Sequence, residues 1–212
     1  MLTQIDCVLH FNDTNGYIGQ PYWAEKNTEI NIMKLVHPKL GDTKKAAAIR
    51  AACEKNGIDP EKFSELQAAA SRPFYTVDGN RDSEIIVPQR VFQSFLNHAS
   101  MEAPKAVPKI DAKGLTFIGV KVSNGYFTTG KTVKDAQKFE RFVKLEESNQ
   151  RTFSTSLHIP NADATGVIEL DEEVITADNL FKLVEWGGRW IGIGSARPQG
   201  YGRFTITRWN VR

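Results

Sequence analysis

A glycine-rich stretch places the strongest constraint on how this chain can fold. Residues 187–204 read GGRWIGIGSARPQGYGRF and hold six glycines, interrupted by Arg189, Arg197 and Arg203. Glycine weakens regular helices and strands and readily adopts positive φ, so the segment is predicted to be a loop with tight turns and close backbone approaches. Because periodic segments flank it, the loop is expected to join a helix to a final strand.

Alternating apolar and polar residues predict the strands. Residues 4–11 follow the two-residue period of a half-buried strand, with Ile5, Cys7, Leu9 and Phe11 on one face. Three more segments are predicted to be strands because they are rich in β-branched and aromatic residues. They are residues 115–122, 166–171 and 201–211.

Two helices are predicted between these strands. After Pro88, apolar residues up to Ala99 recur on one helical face. The second helix is predicted from Ala177 to Trp186, with Thr176 as its N-cap and Gly187 as its end.

The order strand, helix, strand, strand, helix, strand predicts an α+β fold of the ferredoxin-like or RRM-like type. In that fold an antiparallel sheet carries both helices on one face. Residues 1–212 are predicted to be a single domain with two insertions, 12–82 and 123–164. The first is expected to hold a helical hairpin, with helices at 43–56 and from about Pro60 to Ser71. The second is expected to hold a basic helix from Thr132 to about Leu145.

Charge is unevenly distributed along a nearly neutral chain. The net charge is +2, yet residues 187–212 hold five arginines and no acid, and residues 161–186 hold seven acids and one lysine. An acid-free arginine segment indicates an anionic partner. With no long apolar run, no secretory signal pattern and two cysteines in unlike surroundings, we expect a cytoplasmic protein that contacts no membrane.

Residues 125–132, GYFTTGKT, satisfy the pattern G-x-x-x-x-G-K-[ST] of phosphate-binding P-loops. A nucleotide hydrolase would use Lys131 and Thr132, with Asp171 near magnesium. Bulky residues at the four variable positions and only about 80 following residues argue against it. The other interpretation is a basic insertion that contacts phosphate as a cation cluster.

The glycine-rich loop resembles that of the RAMP superfamily, the repeat-associated RNA-binding proteins of CRISPR systems. The matching elements are Gly187-Gly188, Ile191-Gly192-Ile193-Gly194 and Gly200-Tyr201-Gly202, between a helix and a strand. Residues 85–99, IIVPQRVFQSFLNHA, also resemble the family's strand, Ile-Pro and helix, although Gln89, Arg90 and Val91 replace its usual small residues. The resemblance is that of a divergent, backbone-subunit-like member.

The resemblance implies an RNA-binding protein, and separately we expect no cofactor and no metal. It would bind guide or other single-stranded RNA beside further copies of itself or other CRISPR subunits, in a ribonucleoprotein of antiviral defence. Insertion 123–164 would be a thumb that wedges between nucleotides. The expected RNA contacts are His10, Lys121, Phe127, Lys131, Lys134, Lys138, Arg141, Gly188, Arg189, Trp190, Gly192, Gly194, Arg197, Gly200, Tyr201, Gly202 and Arg203.

We expect no catalysis, with RNA cleavage kept as an alternative. Some relatives cleave RNA through a histidine or an early-loop aspartate. The histidines of this chain are His10, His37, His98 and His158, and Asp13 is the aspartate candidate. No Cys/His spacing predicts a zinc site. A third hypothesis is an interaction protein that mimics or blocks a CRISPR subunit without binding nucleic acid.

Overall fold

A computed structural model describes ten segments of the chain: residues 2–14, 16–19, 22–23, 42–61, 71–72, 74–80, 82–110, 119–144, 151–195 and 197–212. The chain divides into two compact units. The first holds residues 1–20, 74–141 and 155–212, and the second holds residues 21–73 and 142–154. The single-domain organisation with insertions 12–82 and 123–164 stays a prediction.

Eleven strands and three α-helices are described. The strands are β1 (Leu2–Phe11), β2 (Tyr22–Trp23), β3 (Ser71–Arg72), β4 (Tyr75–Thr76), β5 (Ile85–Pro88), β6 (Val120–Val122), β7 (Tyr126–Thr128), β8 (Gln137–Lys144), β9 (Arg151–His158), β10 (Ala162–Asp171) and β11 (Phe204–Val211). The helices are α1 (Asp42–Lys55), α2 (Gln89–Glu102) and α3 (Ala177–Trp190).

The first unit is built on a seven-stranded sheet in the order β11-β1-β10-β7-β5-β4, with β6 also pairing with β10. Strand β1 is central, because it pairs antiparallel with β10 along its whole length and with β11 on its other edge. Without the added edge strands, the order β11-β1-β10-β6 with α2 and α3 in the connections is that of a ferredoxin-like fold. The predicted fold class is confirmed.

The core lies between the sheet and helices α2 and α3. Ile5, Cys7, Leu9 and Phe11 of β1 are buried against helical residues, as their alternation predicted. Aromatic rings pack between the helices and the sheet. The ring centroids of Phe95 in α2 and Phe204 in β11 are 5.3 Å apart.

Most predicted elements of this unit are confirmed with shifted ends. Strand β10 begins at Ala162 rather than Gly166, and β11 begins at Phe204 rather than Tyr201. Of the predicted strand 115–122, residues 115–118 lie outside the described residues. Thr176 is the N-cap of α3, since its hydroxyl accepts a hydrogen bond from Asn179 N–H at 3.3 Å.

The predicted basic helix from Thr132 to Leu145 is wrong. After a three-residue 3₁₀ turn at Val133–Asp135, the chain forms β8, which pairs with β9 as a separate two-stranded sheet. The helix was predicted from charged residues that have good helix propensity. Strand pairing with β9, whose sequence RTFSTSLH is rich in residues that favour strands, overrides that propensity.

The second unit contains α1, which confirms the first helix of the predicted hairpin. Cys53 is buried there against Ile49, Ala52 and Ile58. Strands β2 and β3 pair antiparallel in the same unit. Most of the second predicted helix, from Pro60 to Ser71, lies outside the described residues.

Candidate nucleic-acid interface

Helix α3 continues through Gly187 and Gly188 to Trp190, so the prediction that Gly187 ends the helix is wrong. Tertiary packing is the reason. A Cβ on Gly187 would lie 2.8 Å from the Cβ of Ala99, and one on Gly188 would lie 2.6 Å from the ring of Phe204. Both glycines therefore let α3 approach α2 and β11 closely, and neither presents its backbone to a ligand.

The glycine-rich loop is held by backbone hydrogen bonds to distant segments. The N–H of Ile193 donates to Gly202 O at 2.8 Å, and the N–H of Gly202 donates to Gly16 O at 3.2 Å. Ser195 N–H donates to Ile18 O at 3.0 Å, next to a bridge between Ile18 and Gly194. The loop is thus fastened to the segment that follows β1.

These contacts correct the expectation that the glycines themselves hold RNA. Gly188, Gly192, Gly194, Gly200 and Gly202 are all buried. All of these except Gly188 have positive φ, a backbone conformation that favours glycine. The N–H groups of Gly192, Gly200 and Gly202 donate hydrogen bonds to backbone carbonyls of the protein itself. Contact with a ligand therefore falls to the side chains that the loop presents.

A cleft of about 220 Å³, here called the sheet-side cleft, lies where β1, α3 and β11 meet. Its lining residues are His10, Asn12, Arg189, Arg203, Phe204 and Thr205. Among the described residues, the buried Nε of Arg203 has no hydrogen-bond partner. Asp163, directly across from His10 in the sheet, contacts His10 Nδ1 through Oδ1 at 2.7 Å. The cleft is thus lined by two arginines, Arg189 and Arg203, and by His10, whose ring is oriented by the Asp163 carboxylate.

Two further clefts lie along the last turn of α3. One, here called the Trp186 cleft, has about 230 Å³ and is lined by Ala106, Val107, Pro108, Lys182, Glu185, Trp186, Arg189 and Trp190. The other, here called the Arg197 cleft, has about 250 Å³ and is lined by His98, Glu102, Trp190, Ile191, Arg197 and Pro198.

The face of the sheet that α2 and α3 do not cover is balanced in charge. Arg212 donates two hydrogen bonds to the carboxylate of Asp6, and the guanidinium holds the pKa of that carboxyl below its usual range. Lys121, an exposed candidate on β6, lies opposite Glu169 of β10. Three of the candidate arginines lie outside these strands, with Arg189 at the end of α3 and Arg197 and Arg203 in the glycine-rich loop.

Insertion 123–164, which was predicted to be a thumb, differs in part from that prediction. Lys134 and Lys138 are exposed and Lys131 is half-buried, whereas the side chain of Arg141 in β8 lies outside the described residues. Phe127 cannot act as a wedge, because it is completely buried, and its ring centroid lies 5.1 Å from that of Phe92. The two-stranded sheet of β8 and β9 takes the place of the predicted helix.

The P-loop interpretation does not match the geometry. Strand β7 lies in an antiparallel pair with β5, and Thr129 N–H donates to Ile85 O at 3.1 Å. The N–H of Gly130 donates to Glu84 Oε1 at 2.6 Å, so a carboxylate occupies a donor that a phosphate would need. After Thr132 comes the three-residue 3₁₀ turn rather than an α-helix.

The catalytic candidates do not form a recognisable catalytic group with one another. Asp13 is exposed in the loop after β1, and His98 is exposed on α2, where Nδ1 lies 2.8 Å from Ser94 O. His158 is buried, and burial lowers the pKa of its imidazole. Its ring centroid lies 5.9 Å from that of the half-buried Tyr201. His37 lies outside the described residues.

Two contacts of the candidate interface were missed at the sequence level. Asp163 orients His10, and His98 Nε2 lies 3.5 Å from Arg197 Nη2. Each pair is separated by more than 90 residues, so only strand register or helix packing reveals it. Within the described segments, no group of three or more His, Cys, Asp or Glu side chains could hold a metal ion. No helix there is long and apolar enough to cross a membrane.

The fold and this loop define an α+β protein of ferredoxin-like type with a glycine-rich connection between its last helix and last strand. The chain is similar to a chain of a solved structure, the cryo-EM structure of the Type III-B Cmr-beta bound to cognate target RNA. The TM-score is 0.52 at 10% identity, over 99% of this chain and 60% of that chain, so this protein spans about 60% of its neighbour's length. At this identity the likeness shows the fold. No family model and no curated protein matches.

Proposed function

We propose that the protein binds single-stranded RNA without cleaving it, as a RAMP-type subunit of a CRISPR effector or as a stand-alone, for example phage-encoded, relative. The observation that carries the proposal is the sheet-side cleft, in which Arg189 and Arg203 stand beside His10. The similarity to a chain in a Type III-B Cmr structure that holds target RNA supports the same class of ligand.

Arginine suits this role because its planar guanidinium donates two parallel hydrogen bonds to a phosphate. Arg203 and Arg189 both line the cleft, so a phosphate held there would lie beside two guanidinium-bearing side chains. Asp163 contacts Nδ1 of His10, and His10 is one of the residues that line the cleft. Phosphate binding of this kind carries no sequence information, so affinity is expected to be similar across RNA sequences.

Exposed Lys134 and Lys138 would extend the positive path beyond the cleft. A backbone-type subunit would further pack beside other copies of itself or other CRISPR subunits along one guide RNA. Mass measurement of the purified protein with and without RNA tests that assembly, and a complex whose mass grows stepwise with RNA length is the expected result.

The test of RNA binding compares Arg189→Gln and Arg203→Gln with Arg90→Gln. Arg90 is an exposed arginine of the same unit whose guanidinium lies 4.5 Å from the centroid of the Tyr75 ring, so it controls for loss of one positive charge. Each cleft variant should weaken RNA binding and lower the slope of log K against log salt by about 0.7, the value for one phosphate contact on a single strand. Unchanged affinity in folded Arg189→Gln and Arg203→Gln proteins would contradict the proposal.

A further inference from the structure

Trp190 is placed unlike the other tryptophans whose side chains are described. Trp186 and Trp209 pack against the core, whereas the side chain of Trp190 is 56% exposed. An exposed indole at the last residue of α3 adds little to core packing. Its flat surface is instead available to a ligand.

Neighbouring clefts share residues at this end of α3. Arg189 lines both the sheet-side cleft and the Trp186 cleft, and Trp190 lines both the Trp186 cleft and the Arg197 cleft. Successive residues of an α-helix point about 100° apart, which follows from 3.6 residues per turn. Arg189 and Trp190 therefore connect three clefts in series, around the end of the helix.

The chemistry along this series favours a polyanion with flat, apolar groups. Arg189 and Arg197 stand on either side of Trp190 in sequence, and residues 187–212 contain no acid. Arg197 is positioned by its contact with His98 Nε2 at 3.5 Å, and His98 Nδ1 is in turn 2.8 Å from Ser94 O. A neutral His98 with its proton on Nδ1 donates to Ser94 and accepts from Arg197, which holds the guanidinium beside the indole.

Two carboxylates limit where phosphates can lie. Glu185 lines the Trp186 cleft and Glu102 lines the Arg197 cleft, while Lys182 is paired with Asp178 at 2.5 Å. Phosphates are therefore expected beside Arg189 and Arg197, and a base is expected between them, over the indole.

We propose that Trp190 is a base-stacking site for single-stranded RNA, flanked by phosphate contacts to Arg189 and Arg197. The strand would leave the sheet-side cleft and pass around the C-terminal end of α3 rather than stay on the sheet face. This inference rests on the proposed RNA-binding function and adds a defined path to it. Stacking accepts any base, so the site strengthens binding without reading sequence.

The test is a double-mutant cycle between the indole and the bases. Wild type and Trp190→Ala are titrated with an RNA oligomer and with a ribose-phosphate oligomer of equal length that lacks bases. Trp190→Ala should weaken binding of the RNA about tenfold, within the range for one stacked base, and should leave binding of the abasic oligomer unchanged. Trp190→Phe should retain most of the affinity. Met101→Ala, which removes another exposed apolar side chain (68% exposed), should have no effect.

The outcomes separate this inference from the proposed function. RNA binding that is sensitive to Arg203→Gln but equal in wild type and Trp190→Ala would overturn the stacking site alone. An equal loss by Trp190→Ala on both oligomers would also overturn it, because the effect would not depend on bases. Absence of any RNA affinity in wild type at low salt would overturn both proposals. Loss of a protein partner with unchanged RNA binding would assign Trp190 to a protein interface.

Discussion

Gly202 and Ile193 are so close that a Cβ on Gly202 would lie 1.8 Å from the carbonyl oxygen of Ile193. The two residues are also joined by the hydrogen bond from Ile193 N–H to Gly202 O. The two arms of the glycine-rich loop therefore touch through their backbones, and the shape of the loop depends on the missing side chain. This contact sets the position from which Arg203 enters the sheet-side cleft.

Gly202→Ala should destabilise the protein by roughly 2–5 kcal/mol. About 1–2 kcal/mol is the cost of φ +72° for a residue with a Cβ, and about 1–3 kcal/mol is the cost of forcing the overlap apart. Chemical denaturation followed by circular dichroism measures the change.

Gly79→Ala is the matched control for this substitution. Gly79 has nearly the same φ, +74°, but no atom lies within 4 Å of its Cβ position. Gly79→Ala should therefore lower the free energy of unfolding only by the conformational cost, about 1–2 kcal/mol. Equal destabilisation by the two substitutions would show that the close approach in the loop does not contribute.

Gly187→Ala tests the crossing of α2 and α3. Within a helix this substitution ordinarily gains about 1 kcal/mol from propensity. Here the added methyl would meet Ala99 and Phe95 at 2.8 Å, and such overpacking costs about 1–3 kcal/mol. The net result should be a loss of up to about 2 kcal/mol in the free energy of unfolding. A more stable variant would mean that the helices separate easily.

The sequence predicted those elements whose pattern follows directly from burial. The alternation in β1 and the apolar face of α2 identified both correctly, because each packs one face on the core. The role of Gly187 could not be predicted, since its packing partners Phe95 and Ala99 lie about 90 residues away. Local rules end a helix at glycine, but a close helix crossing requires one.

The GYFTTGKT segment should not support nucleotide hydrolysis. The N–H groups of Thr129 and Gly130 are already bonded to Ile85 O and the Glu84 carboxylate. We expect no magnesium-dependent ATP or GTP turnover in wild type and the same background in Lys131→Ala. Turnover that disappears in Lys131→Ala would restore the P-loop interpretation.

Asp6 and Arg212 should make stability depend on pH in the acidic range. The hydrogen bond from Arg212 lowers the pKa of Asp6, so the stabilisation is present above the unfolded pKa of about 3.9. It is lost as the pH falls through the lower, folded value. Arg212→Gln should raise the pKa of Asp6 and reduce stability near pH 7, while leaving stability unchanged at the acidic end.

An NMR titration of the Asp6 carboxyl measures this effect directly. Arg208→Gln is the control, because Arg208 affects Asp6 only through a weaker, long-range charge interaction. A pKa of Asp6 that is the same in wild type and Arg212→Gln would mean that the ion pair does not form in solution.

The arginines of the candidate interface were predicted from composition, but their grouping was not. An acid-free run containing Arg189, Arg197 and Arg203 indicated an anionic ligand. That Arg189 and Arg203 share a cleft with His10 depends on β1 lying beside β11, a relationship of the fold rather than of neighbouring residues. Phe127 was misassigned for the same reason, because its burial depends on Gly166 across the sheet.

The central position of β1 also affects how the chain can fold. Its two neighbours, β10 and β11, are about 150 and 200 residues away in sequence. Pairing over such distances requires large loops to close first, which slows folding. During synthesis β1 therefore remains without its two neighbouring strands until nearly all of these residues have left the ribosome. We expect slow acquisition of structure and a need for protection against aggregation during that interval.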